Sequence, residues 1–226
     1  MRVSLGGTGK EPHLRDYGPH VILMLATSAP AIAQVSGSAP PCVAPAEPQL
    51  ETPATNSARQ ASCRGYILQF PQDPRGYRVL GGLLLDDPPK RIDVYEAGLQ
   101  HNPTDYELTL NLGLALRQAG RLEDAETALE KAAALAPRDP DPLVQAGLVA
   151  QERRDYRRAE QLLRAALALP NVIPETHGYL ARALASQQRY SEAVAEWDIA
   201  ETTSPHGFID EAGDRAAYNR ARLGSQ

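Results

Sequence analysis

Between residues 104 and 205 the apolar positions recur with a helical period, and the interruptions recur with them. Leu112, Leu116 and Leu129 are followed by Leu143, Leu148 and Leu163, and then by Leu180, Leu184 and Trp197. They fall at the i, i+3, i+4 intervals that gather side chains on one stripe of an amphipathic helix. Thr104 and Glu107 have the spacing of a capping box ahead of the first such helix, and Gly120 stands where that helix should end. Proline closes the second helix of the pair, because its ring cannot continue a helix interior. The pattern predicts helical hairpins joined by short turns.

Small residues mark the same period. Gly113 and Gly147 are 34 positions apart, as are Ala125, Ala159 and Ala193, and again Ala132, Ala166 and Ala200; Pro137 and Pro205 are separated by twice that step. Small side chains at helix crossings let two axes come close, where larger ones would push the hairpin open. A small residue in the first helix, Ala and an aromatic in the second, a further Ala and then Pro on a period of 34 is the pattern of the tetratricopeptide repeat family. Residues 104–205 resemble that family over three units, 104–137, 138–171 and 172–205. Gly113, Ala125, Ala132 and Pro137 carry the first. Gly147, Ala159 and Ala166 carry the second, with Pro170 one residue early. Ala181, Ala193, Ala200 and Pro205 carry the third.

The resemblance implies an all-α fold, a short right-handed α-α superhelix, with a disordered N-terminal region. Upstream, "RIDVYEAGLQHNP" aligns with the second helix of a further unit, with Tyr95 at the aromatic place and Pro103 at its end. Its partner "PRGYRVLGGLLL" has Gly81 and Gly82 two or three places out of register, so 71–103 is expected to be a degenerate N-terminal repeat. Downstream, 206–226 has the spacing of a polar capping helix, which a terminal repeat needs in order to face water.

Such proteins line a concave groove with residues of the first helix of each pair. By position the resemblance assigns the groove to Glu107, Leu110, Leu114, Arg117 and Gln118; to Asp141, Val144, Leu148, Gln151 and Glu152; and to Glu175, Gly178, Arg182, Ala185 and Ser186. An apolar middle flanked by mixed charge suits a peptide with a few aliphatic anchors. Leu114, Leu148 and Arg182 occupy the places where an Asn would recur in members that clamp a peptide carboxylate, so that clamp is not expected. The function implied is a scaffold or adaptor binding a protein or peptide partner and assisting assembly of an envelope complex. The alternative is a structural subunit that packs by its outer face or self-associates, with the groove unused.

Net charge is −5 with a sequence pI near 5.6, which lacks the positive field that displaces counterions from phosphates, so nucleic acid is not an expected partner. Arg153, Arg154, Arg157 and Arg158 form the nearest basic cluster, broken by Asp155 and followed by Glu160, and read as a solvated helix face. Near the N-terminus, Arg2, Lys10 and Arg15 precede "VILML" and a small-residue stretch in which Ala31 and Ala33 fit a cleavage site before Gln34. Residues 1–33 are therefore expected to be a signal peptide and the protein periplasmic or secreted, or cytoplasmic should that signal not function. No stretch is apolar enough for a membrane span. Residues 34–70, rich in Pro, Ala and Ser, read as a disordered linker. Cys42 and Cys63 could pair in an exported protein; in the cytoplasm they would be free thiols.

Chemistry is hard to place on this chain. "LGGTGKE" lacks the first Gly and the final Ser or Thr of a phosphate loop. His13, His20, His101, His177 and His206 have no His or Cys at ligand spacing, and the two cysteines have no histidine nearby. Acidic pairs such as Glu123 and Asp124 sit near helix starts, where carboxylates complement the helix dipole. No catalytic, cofactor or metal site is expected, and the protein is not expected to be an enzyme.

Overall fold

The computed structural model describes Cys42 and residues 53–203, all within one compact unit. The expected signal peptide, residues 34–52 apart from Cys42, and the expected capping helix at 206–226 lie outside the described residues.

Among the described residues there are nine helices and no strand. In chain order they are α1 (Pro53–Gln69), α2 (Pro74–Gly82), α3 (Pro88–His101), α4 (Tyr106–Gln118), α5 (Leu122–Leu135), α6 (Asp141–Glu152), α7 (Tyr156–Leu167), α8 (Glu175–Ser186) and α9 (Tyr190–Thr203). They stack as an α-α superhelix, with α4/α5, α6/α7 and α8/α9 as the three regular hairpins and α2/α3 as the degenerate one.

Local chemistry starts and stops these helices. Asp73, Asp87, Asp105 and Asp155 cap α2, α3, α4 and α7, each carboxylate accepting a backbone N–H of the first turn. At α4 the cap is thus Asp105, accepting from Leu108 at 2.8 Å, rather than Thr104 of the capping-box reading. The turn that ends the first helix of each regular pair has a left-handed residue at Gly120, Arg154 and Gln188, one period apart. In each, the next N–H reaches back to close the helix end: Arg121 to Leu116, Asp155 to Ala150 and Arg189 to Leu184, at 2.9 to 3.0 Å. Glycine marks only the first of these turns; the other two carry the backbone cost of a side chain at positive φ.

The recurring small residues are buried. Ala125, Ala132, Ala159, Ala166, Ala193 and Ala200 are wholly enclosed. A Cβ on Gly113 would stand 2.7 Å from Leu129 Cγ, and one on Gly147 would stand 2.7 Å from Leu163 Cγ. The crossing is therefore as close as the small-residue pattern requires. In the degenerate hairpin Gly81 does the same work against Tyr95, whose ring a Cβ there would overlap, while Gly82 faces open space. Leu108, Leu116, Leu129, Val149 and Leu162 belong to one core cluster, and Val144, Leu163, Leu180, Leu184 and Trp197 to the next. Burying each such side chain contributes about 1.5–3 kcal/mol.

The expectation of a disordered linker is also corrected. Within the segment read as a disordered linker, residues 53–69 form α1. Its Pro/Ala/Ser composition argued against a core, but Cys63, Tyr66 and Ile67 share one face and pack on Leu80, Leu84 and Val79. Most helical stability comes from such tertiary burial rather than from propensity. Cys42 is bonded to Cys63, and both are buried in that cluster, which ties residue 42 to α1.

Candidate functional site: the inner face of the first helices

The first helices of successive pairs, α2, α4, α6 and α8, approach one another directly: Cα atoms of α2 and α4, of α4 and α6, and of α6 and α8 come within 8 Å. No such approach occurs between α3, α5, α7 and α9. A stack whose first helices converge while its second helices diverge is curved with the first helices inside. Their outward-pointing residues form the candidate binding surface.

The expected groove residues differ in depth. Leu110, Leu114 and Leu148 are half-buried, and Gln118, Asp141 and Glu152 are exposed. A hollow of about 320 Å³ is lined by Leu114, Arg117, Gln118 and Glu152. Val144 is the exception. At 2% exposure it belongs to the core, because its short branched side chain remains among Leu163, Leu180 and Leu184 where the longer Leu110 at the equivalent place reaches the surface. In the third unit Gly178 is buried, Glu175 and Ala185 are half-buried, and Ser186 is exposed. Arg182 lies 5.0 Å from the centre of the Tyr179 ring.

Many of the polar groups are engaged with one another across the rungs. Arg78 on α2 pairs with Glu107 on α4. Arg117 on α4 donates through Nε to Glu152 at 2.8 Å and through Nη1 to Gln145 at 3.0 Å, both on α6. Gln151 on α6 donates to the Tyr179 carbonyl of α8 at 2.7 Å. Gln118 accepts from the buried Arg91 at 2.6 Å and donates to the Leu85 carbonyl at 3.0 Å. These contacts hold adjacent helices in register, so the wall is stitched by the residues that also line it. Sequence reasoning missed Arg78, Gln145 and Tyr179. The last two share one repeat position, so the 34-residue step could have found them.

On the outer side two arginines of the basic cluster, Arg153 and Arg158, are paired with carboxylates. Glu126 is buried and takes Arg153 and Arg158. Arg153 also meets Glu123, and Arg158 meets Glu130. One repeat on, the buried Glu160 accepts from Gln187 at 2.9 Å and from Arg189 at 2.7 Å, and pairs with Arg164 at 2.5 Å. Burial pushes its carboxyl up, but the donors from Gln187, Arg189 and Arg164 outweigh that and hold it below the ordinary glutamate value. His177 shares a 2.7 Å contact with Glu196 between α8 and α9. A larger hollow of about 580 Å³ lies between repeat loops, lined by 136–141 and Asn171; its Asp139 accepts from the Tyr106 hydroxyl and brings no reactive set together. Among the described residues no group of His, Cys, Asp or Glu could hold a metal, and no helix is long and apolar enough to cross a membrane.

Comparison with known proteins agrees with this geometry. The tetratricopeptide repeat family model matches residues 92–140 and 144–207, half of the chain, and the chain belongs to that family. Its fold is similar to that of the crystal structure of MamA, with a TM-score of 0.62 and 18% identity over 66% of this chain and 89% of that one. It is also similar to TTC0263, a thermophilic TPR protein of Thermus thermophilus, at 0.53 and 24% over 75% and 92%. YrrB, a TPR protein with an unusual peptide-binding site, matches at 0.61 and 15% over 74% and 84%. No curated protein matches the chain. The fold is that of an interaction scaffold for protein or peptide partners.

Proposed function

We propose that this protein is an adaptor that grips a segment of a partner protein along the inner face of α2, α4, α6 and α8, and that it serves assembly of an envelope complex outside the cytoplasm. The observation that carries the reading is the run of half-buried leucines, Leu110, Leu114 and Leu148, which keep part of their surface on a wall whose polar residues already hold the helices together. Apolar surface left open on a rigid, pre-formed concavity binds without a large ordering cost. A peptide-binding relative of the same fold supports the reading. The location is supported by the buried Cys42–Cys63 bond, since such bonds persist in oxidising compartments, and by the signal-like leader. No chemistry is assigned to the protein; it acts by holding.

The test is site-specific photocrosslinking in the native cell. A crosslinker at Leu114 or Leu148 should capture one partner, and one at Gln161 on the outer helix α7 should not. Leu114→Asp with Leu148→Asp should abolish copurification. The reverse pattern would establish a subunit that packs by its outer face. Thiol labelling of denatured protein from the same cells should find Cys42 and Cys63 oxidised; recovery of both as free thiols would refute the proposed compartment.

A further inference from the structure

We infer that the segment held in this groove is cationic and amphipathic, with aliphatic side chains seated on Leu110, Leu114 and Leu148 and Lys or Arg reaching the carboxylates of Glu107, Asp141 and Glu152. The inference rests on the groove reading above and names the ligand class.

Its basis is the way the ion pairs of the inner face are layered. Arg78 keeps 27% of its side-chain exposure while its partner Glu107 keeps 58%. Arg117 keeps 29% while Glu152 keeps 40%. In both pairs the base is drawn into the wall and the acid stands nearer the solvent. Arg117 is further committed to Gln145, whereas a carboxylate has room for about four hydrogen bonds. Asp141 repeats the position of Glu107 one period on. It is exposed and makes no ion pair among the described residues. Arg75, the remaining base at this position in α2, is held by Asp73 and the Tyr66 hydroxyl. Over α2, α4 and α6 three carboxylates therefore meet a guest against two guanidiniums that are already used, while on α8 the half-buried Glu175 and Arg182 add one charge of each sign, on a chain of net charge −5.

The consequences differ by ligand charge. An acidic segment would face the outward carboxylates and reach the bases only by displacing them. A neutral apolar segment would bury the leucines but strip water from Glu107, Asp141 and Glu152 without replacing it, which costs free energy. A segment with Lys or Arg flanking its apolar residues replaces that water with charge-assisted hydrogen bonds.

The experiment uses the full chain and three fluorescent peptides of about 14 residues with one shared leucine pattern and Lys, Gln or Glu at the other positions. A fourth peptide copies residues 212–223 of this chain. At about 50 mM salt the Lys peptide should bind roughly tenfold more tightly than the Gln peptide, with the Glu peptide weakest; the gap should narrow at about 1 M. Asp141→Asn with Glu107→Gln should cost the Lys peptide roughly three- to tenfold and leave the Gln peptide unchanged. Leu114→Asp should weaken all of them. Equal or tighter binding of the Glu peptide would overturn the charge inference while leaving the groove intact. Failure of every peptide, or indifference to Leu114→Asp, would overturn the groove reading itself. Tightest binding by the 212–223 peptide would make the chain's own C-terminal segment the occupant and overturn the inference.

Discussion

The degenerate hairpin α2/α3 and the regular hairpin α4/α5 reach the same crossing by different residues. In α4/α5 a glycine near the middle of its helix lies against a leucine, Gly113 on Leu129. In α2/α3 the glycine is one residue from the end of a nine-residue helix, and the larger Tyr95 fills the place of Leu129. Two fewer residues separate Gly81 from Tyr95 than separate Gly113 from Leu129. The second helix also differs: Gly98 stands where Ala132 recurs, where an added Cβ would stand 2.9 Å from the Tyr77 Cβ, and Arg91 replaces Ala125. That arginine is buried, with Nη1 bonded to Gln118 and its guanidinium 5.9 Å from the Tyr95 ring centre. What the fold demands is therefore close approach at one point and a large side chain filling it. The register that delivers the contact can shift when the turn changes with it.

The comparison is broken most severely by emptying the crossing. Tyr95→Ala should cost about 3–5 kcal/mol and Leu129→Ala about 2–5 kcal/mol, because each leaves a cavity in a wholly buried site. In a quasi-one-dimensional array the two losses should spread differently. Hydrogen exchange should show Tyr95→Ala releasing α1 to α3 while α6 to α9 stay protected, and Leu129→Ala lowering protection on both sides of α5. Equal loss of protection along the whole chain in both variants would show that the units do not behave as neighbours.

A smaller and sharper test sets adjacent glycines against each other. Gly81→Ala should destabilise by about 1–3 kcal/mol, since the added methyl meets the Tyr95 ring. Gly82→Ala meets nothing and should be neutral or stabilising by up to about 1 kcal/mol. Adding Tyr95→Leu to Gly81→Ala should recover part of the loss, as the smaller side chain that serves α4/α5 makes room. Urea denaturation midpoints of the three variants decide it.

The smallest effect concerns the links between hairpins. The place held by the buried Ile92 in α3 is held by Glu126 in α5 and Glu160 in α7. The Glu160 carboxyl is held below its ordinary value of 4.5, so its contribution is complete above that value and is lost as the pH falls through the lower folded one. Acid should therefore loosen the link between α7 and α8/α9 that Glu160 holds. Glu160→Gln should cost about 1–2 kcal/mol near neutrality, a difference from the parent that shrinks below about pH 4. A pH-independent difference would assign the effect to packing.

Much of the fold was legible because its determinants are short-range and periodic. The 34-residue ladders named the crossings, and the prolines named the ends of α3, α5 and α7. Gly120 marked its turn, but Arg154 and Gln188 adopt the same left-handed backbone without a glycine to announce it. The groove was read one residue at a time by position, which put Val144 on the surface although the core encloses it, because depth depends on side-chain length and on the neighbouring helix. Resemblance could indicate which positions face inward. It held no information on the pairing of Arg117 with Glu152 or of Arg78 with Glu107, because those partners lie on different repeats.

Taken alone, the sequence determined the period, the helical hairpins, the small-residue contacts and the family, since each depends on residues a few turns apart whose spacing is written in the chain. The tertiary structure decided that 53–69 is a helix, that Cys42 meets Cys63, that Gly81 rather than Gly82 touches Tyr95, and that the groove carries its acids outward over its bases. Those outcomes turn on which surfaces are brought together and how deeply each side chain is buried once they meet, and burial is a property of the assembled stack rather than of any local stretch.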